Sequence, residues 1–242
     1  MRTYRYEEMT PKEFERAVKE MPIFLVPTGL LEWHGNHLPL GLDGLKAHGI
    51  CCRIAERLEG GIVLPANYLG RPGFSSYLGT LTYSESLVNG YFYELFHQLK
   101  KIGARVIFVL TGHYGPLQVE CLERVAACFE RENPSVRVIA QPEYQDIVCH
   151  ETIPADHAGL WETSIIRHLV PELVHMEELE RPVIGQKVYD APPNDYYHED
   201  EMWQFVNDVR SATAELGAEV VEAVTDRAVN MLKMELKKQL LP

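Results

Sequence analysis

No stretch of this 242-residue chain is apolar over the roughly 20 residues that a bilayer-spanning helix needs. The N-terminal segment MRTYRYEEMTPKEFERAVKE also lacks the apolar core of a secretion signal. Cysteine is sparse and unpaired in pattern: Cys51, Cys52, Cys121, Cys128 and Cys149 are odd in number and show no CxxC spacing. That speaks against a disulfide framework or a zinc ribbon and for free thiols in a reducing compartment, so the expected localisation is cytoplasmic. Basic residues are outnumbered, with 23 Lys plus Arg against 35 Asp plus Glu. A balance of −12 disfavours nucleic acid and anionic membranes as partners but selects no substrate. Internal repeats and low-complexity tracts are absent, which excludes solenoid and array architectures.

What is present is an alternation of apolar runs and helical periodicities. Residues 10–19 read as a helix capped by Thr10, with Pro11 at its first position. A buried strand is expected over 23–27, a helix over 44–58, a second strand over 62–64 and a third over 106–110. Ser84 can cap a helix to Lys101, with Leu87, Tyr91, Leu95 and Leu99 on one face. Further helices are expected over 116–131, from His157 to about Val170, and over 207–240 with a break near Gly217, and a fourth strand over 136–140. Residues 65–83 are aperiodic, as in a functional loop or lid, and 181–207 could be a lid, an intersubunit arm or a loose surface loop. The expected fold is a single α/β domain spanning residues 1–242, with a mostly parallel sheet flanked by helices on both faces. In such sheets, sites lie beyond the carboxyl ends of the strands.

The segment PTGLLEWHGNHLPLGLD, residues 27–43, follows the first strand. Glu32 and His34 are two apart, so an extended backbone points both to one side. A carboxylate and an imidazole together are ligands suited to Zn²⁺, Mn²⁺ or Fe. Asp43 could be presented by a loop folding back at Gly35 and Gly41. The loop after strand 106–110, which carries His113, emerges on the same side if the two strands are parallel. Without that convergence, these residues would be solvated loop groups.

EWHGNHLPLGLD resembles the E-Q-H-G-x-H-L-P-x-x-x-D signature of the creatininase family, TGHYGP is similar to N-G-H-G-G-N, and DHAGLWETS is similar to H-A-G-x-x-E-T-S. The three fall in the family's order across roughly residues 5–175. The resemblance implies a hydrolase with two divalent metal ions, zinc, manganese or iron, cleaving a small cyclic amide, formamide or related non-peptide C–N bond, often as a hexamer. It also implies that Glu32, Asp43 and His113 hold one metal, that His34 binds the second, and that Asp43 bridges both. The family's remaining ligand position is Gly115 here, and Glu162 is the implied replacement. His157 matches a histidine credited with proton transfer. Its ordinary alternative is a helix-end residue, and that of Glu162 is a surface carboxylate. His37 reads as a hydrogen-bonding neighbour of the ligands. Trp33, Tyr77 and Tyr114 could contact a small-molecule substrate or pack in the core. Departures at Trp33, Thr111 and Pro116 leave the ligands intact but alter their surroundings. Two other functions fit the resemblance: opening of an oxidised sugar or inositol ring, and a catalytically silent member that binds a small molecule.

Overall fold

The computed structural model describes residues 3–147, 156–179, 188–189 and 209–240. Four strands form one sheet: β1 (Ile23–Thr28), β2 (Ile62–Val63), β3 (Val106–Thr111) and β4 (Arg137–Pro142). All three pairings are parallel, in the order β2-β1-β3-β4. Successive side chains of a strand point to opposite faces, and both faces here are apolar. Ile23, Leu25, Phe108 and Leu110 pack on one side with α2 (Leu42–Leu58), α5 (Leu160–Leu169) and α6 (Ala214–Leu240). Phe24, Val26, Ile107 and Val109 pack on the other with α1 (Pro11–Glu20), α3 (Glu85–Lys101) and α4 (Pro116–Glu132). The α/β expectation, with helices on both faces, is met.

Chain order places the site. The path leaves β1 for β2 on one side, then returns past β1 to β3 on the other. The segments leaving β1 and β3 therefore diverge, and open parallel sheets form a ligand crevice at such a switch point. The motif segments 29–41 and 112–115 are those two segments.

Several elements differ from expectation. Helix α2 starts at Leu42, so Asp43 sits in its first turn and is held by the helix, not by a folded-back loop. Helix α3 buries Val88, Phe92, Phe96 and Leu99, one residue out of register with the expected stripe, while Leu87 is 50% exposed. The helix expected from His157 begins at Leu160. The last helix runs unbroken through Gly217, where a Cβ would stand 1.9 Å from the Ser164 carbonyl oxygen. Gly217 is thus a close approach between α5 and α6, not a helix end. Among the predicted caps, Thr10 forms a full capping box with Glu13, and the Ser84 hydroxyl accepts from Leu87 N. Of the segment 181–207 only Val188 and Tyr189 are described; their N–H groups donate to the Ser76 carbonyl. The rest of it, and Cys149, lie outside the described residues.

Candidate metal centre

Four elements bring the three motifs together around a cavity of about 210 Å³, lined by Glu32, Asp43, His113 and Glu162 with His34 buried behind them. The segment after β1 brings Glu32 and His34, the first turn of α2 brings Asp43, the turn after β3 brings His113, and the N-terminus of α5 brings Glu162. All five side chains are buried. Asp43 Oδ1 lies 3.2 Å from His34 Nε2, and its Oδ2 lies 3.5 Å from His113 Nδ1. Glu32 Oε2 is 3.0 Å from His113 Nδ1, and Glu162 Oε2 is 3.7 Å from His34 Nε2. Two groups therefore have ligand atoms close enough to share a cation: Glu32, Asp43 and His113, and His34, Asp43 and Glu162. Asp43 belongs to both. A third such group contains Glu32, His34 and His157.

Backbone donors fix these side chains. Glu32 Oε1 accepts from Phe74 N at 2.8 Å, Asp43 Oδ2 from Leu30 N at 3.1 Å, and Glu162 Oε2 from Ala158 N at 2.7 Å. His34 Nδ1 donates to the Glu32 carbonyl at 2.9 Å, which assigns the free lone pair to Nε2. That buried Nε2 completes no hydrogen bond with any described residue. An unsatisfied buried nitrogen facing carboxylates is costly unless a proton or a metal occupies the space. The oxygen and imidazole donors suit Zn²⁺, Mn²⁺ or Fe²⁺. The loop 65–83 closes over this ring, and a Cβ on Gly73 would stand 1.7 Å from Glu32 Oε1, so no side chain fits there.

Without a cation, the carboxylates and imidazoles compensate one another. Burial disfavours the charged His34 ring, but Asp43 and Glu162 outweigh it and raise its pKa to about 9. His113 is raised against burial by Glu32 and Asp43. Burial opposes the Glu32 carboxylate too, yet His113 holds it well below the usual carboxylate range. His157 moves the other way: burial, and then His34, push it down to about 4. Its Nε2 lies 2.8 Å from the Trp33 carbonyl, which can only accept, so that nitrogen carries the proton and Nδ1 the lone pair. Phe74 stacks on this ring with centroids 4.0 Å apart.

The expected residues separate into those at the cavity and those behind it. Tyr114 lines it with His157 and Phe74, whereas Trp33 and Tyr77 stack on each other at 4.8 Å in a buried cluster behind Phe74. His37 is in none of the three groups; its Nε2 pairs with Thr163 Oγ1 at 3.3 Å. Asp156 accepts from the backbone N–H groups of Trp161 and Glu162, which caps α5 from outside the helix and lets both His157 and Glu162 face the cavity. Sequence reasoning missed Phe74, Lys46 and Glu143. Lys46 follows Asp43 by three residues on α2, the spacing that puts both on one helix face. Glu143 lies just past the carboxyl end of β4, the side of the sheet where sites form.

This architecture has known counterparts. A crystal structure of creatinine amidohydrolase (creatininase) superposes with a TM-score of 0.80 at 22% identity, covering 97% of this chain and 98% of that one. A manganese form of creatininase and a zinc–zinc form of a creatininase mutant each match with a TM-score of 0.79, at 22% and 21% identity and over at least 96% of both chains. In sequence, the chain is 26% identical over 210 residues to creatinine amidohydrolase of Pseudomonas putida, covering 78% of this chain and 80% of that protein. It is 28% identical over 165 residues to the mycofactocin precursor peptide peptidase of Mycolicibacterium smegmatis, covering 66% of this chain and 62% of that protein. The family model named Creatininase, described as creatinine amidohydrolase, matches residues 7–232. On that match the chain belongs to the creatininase family.

Proposed function

We propose that this chain is a hydrolase that uses two divalent cations to cleave a small cyclic amide, a formamide or a related non-peptide C–N bond. The observation that carries the reading is the pair of ligand groups sharing Asp43. Glu32, Asp43 and His113 would hold one cation, and His34, Asp43 and Glu162 the other. Asp43 turns a separate oxygen toward each group, as a bridging carboxylate requires. Two such ions would supply Lewis-acid polarisation of a carbonyl-type group and would lower the pKa of a nearby water.

The protein's own groups handle the protons. With Nε2–H anchored on the Trp33 carbonyl, His157 keeps Nδ1 free to accept a proton and return it to the leaving nitrogen. Water adds to the carbon, the C–N bond breaks, and the amine leaves protonated. Phe74 and Tyr114 supply the apolar and phenolic walls against which a small substrate packs. Burial and the neighbouring Glu162 hold the Tyr114 phenol well above its ordinary pKa, so it stays neutral, with Glu162 Oε1 and the Asp156 carbonyl as acceptors for its proton. Trp33 and Tyr77 brace Phe74 from behind, one step from the substrate.

No helix among the described residues is long and apolar enough to cross a membrane. Cytoplasmic residence is supported by four free thiols, at Cys51, Cys52, Cys121 and Cys128. Assembly into a homo-oligomer is supported by exposed Leu40, Leu78 and Leu81, which lie in the segments around the site. The test of the activity is a screen of metal-loaded protein against cyclic amides, formamides, short peptide amides, lactones and diketo-sugars. Turnover of an amide-type substrate, lost on chelation and restored by metal, is expected. A folded, fully loaded protein inert toward every amide would overturn the reading.

A further inference from the structure

Beneath the cavity, Glu162 and Tyr114 join a buried network whose other members, Lys46 and Glu143, the reaction as described does not use. Lys46 is fully buried on α2, three residues beyond Asp43, and is not among the cavity-lining residues. Its Nζ donates to Glu162 Oε1 at 2.7 Å and contacts Glu143 Oε1 at 2.6 Å. It also reaches the Tyr114 hydroxyl at 3.3 Å and lies 4.4 Å from that ring's centroid. The Tyr114 hydroxyl lies 2.8 Å from the same Glu162 oxygen and 2.8 Å from the Asp156 carbonyl oxygen, two acceptors for its one proton, and Trp161 Nε1 donates to Glu143 Oε1 at 3.3 Å. Glu162 Oε1 is thus held by an ammonium with a phenol beside it, and Oε2 is the oxygen that lies 3.7 Å from His34 Nε2.

We propose that Lys46 is the positioning residue of the second ligand group: it anchors the outer oxygen of Glu162 so that the carboxylate offers a single oxygen beside His34 and Asp43. Glu143 is its counter-anion. With Glu143 Oε1 2.6 Å from the same ammonium, Lys46 has a carboxyl partner besides Glu162. A lone ammonium at this depth would repel the cation; a lone carboxylate would remain buried without a partner. This proposal deepens the two-cation reading and rests on it.

The test uses the full chain stripped with chelator and titrated calorimetrically with Mn²⁺. Lys46→Met alone strands Glu143, so the informative variant is Lys46→Met/Glu143→Gln, which removes one charge of each sign. The expected result is two binding steps in wild type, with one step unchanged and the other weakened by about 10–100-fold in the double variant. Circular dichroism and thermal melting establish that the variant is folded, and a residue that only stabilises the core would leave both steps alone. Unchanged steps in the folded variant overturn the proposal and leave the two-cation reading standing; a single step in wild type overturns both. Crystals of Mn²⁺-loaded wild type give a check that needs no variant. Glu162 should ligate through Oε2 alone with the Lys46–Oε1 contact kept, and ligation through both oxygens would contradict the assignment.

Discussion

At the scale of single residues, the centre depends on a division of labour among similar side chains. Asp43 is the one carboxylate common to the two ligand groups of the proposed centre, so its loss should weaken both at once. Asp43→Ala should bring metal content close to zero at a loading that saturates wild type, whereas Glu32→Ala or Glu162→Ala should each remove about one ion. Elemental analysis of the three desalted variants decides this, and two ions retained by Asp43→Ala would refute the bridge. His157 has the opposite expected signature. Removing a proton carrier costs rate, about 10²–10⁴-fold in kcat, while metal content stays level. Should His157→Ala instead lose an ion, the group of Glu32, His34 and His157 is the one in use. Glu32, His34, Asp43 and His113 were legible as candidates because carboxylates and imidazoles cluster after apolar runs, and the motif resemblance added Glu162; the structure brings all five together. Lys46 was not legible, because a lysine on an amphipathic helix ordinarily faces water. Only the fold shows two buried carboxylates waiting for it.

At the scale of elements, sequence periodicity found each strand and α-helix of the described residues, missed the four short 3-10 turns, and chose the wrong face of α3. Both stripes, 87-91-95-99 and 88-92-96-99, carry apolar residues at helical spacing, and only the helix's packing against the sheet and α4 separates them. The consequence is measurable. Phe92→Ala should cost about 3–5 kcal/mol of stability, as for a buried aromatic, while Leu87→Ala should change it by less than about 0.5 kcal/mol. Chemical denaturation of both variants checks the face; equal losses would restore the expected stripe. Gly217 misled for a related reason. A glycine inside a helical pattern reads as a break, yet here it admits the Ser164 carbonyl. Boundaries near the site were also hidden: α2 begins two residues early, capturing Asp43, and α5 begins three residues after His157. The α5 boundary is set by Asp156, which accepts from the Trp161 and Glu162 N–H groups, and Asp43 in the first turn of α2 accepts from Leu30 N across the chain; neither contact shows in local periodicity.

At the scale of the whole molecule, the parallel sheet gathers segments distant in sequence at one switch point and buries three carboxylates with two imidazoles there. This gives stability a characteristic dependence on pH. The folded-state pKa of His34 is raised to about 9, above its unfolded value of about 6.5. A raised histidine contributes stability that is fully present below the unfolded pKa and is lost as pH climbs through the folded one. The metal-free protein should therefore melt at lower temperature at pH 9 than at pH 7. Cation binding needs the neutral ring, so the loaded protein should not follow that decline, and the gap between the two should widen with pH. Melting curves of stripped and loaded protein at the two pH values test it, and a gap that narrows would contradict the protonated empty site. The most direct test of the account is metal stoichiometry. Protein loaded with Zn²⁺ or Mn²⁺, desalted and assayed by mass spectrometry for metal against chain concentration, should carry two ions per chain. A folded chain that retains none would contradict the account at its centre.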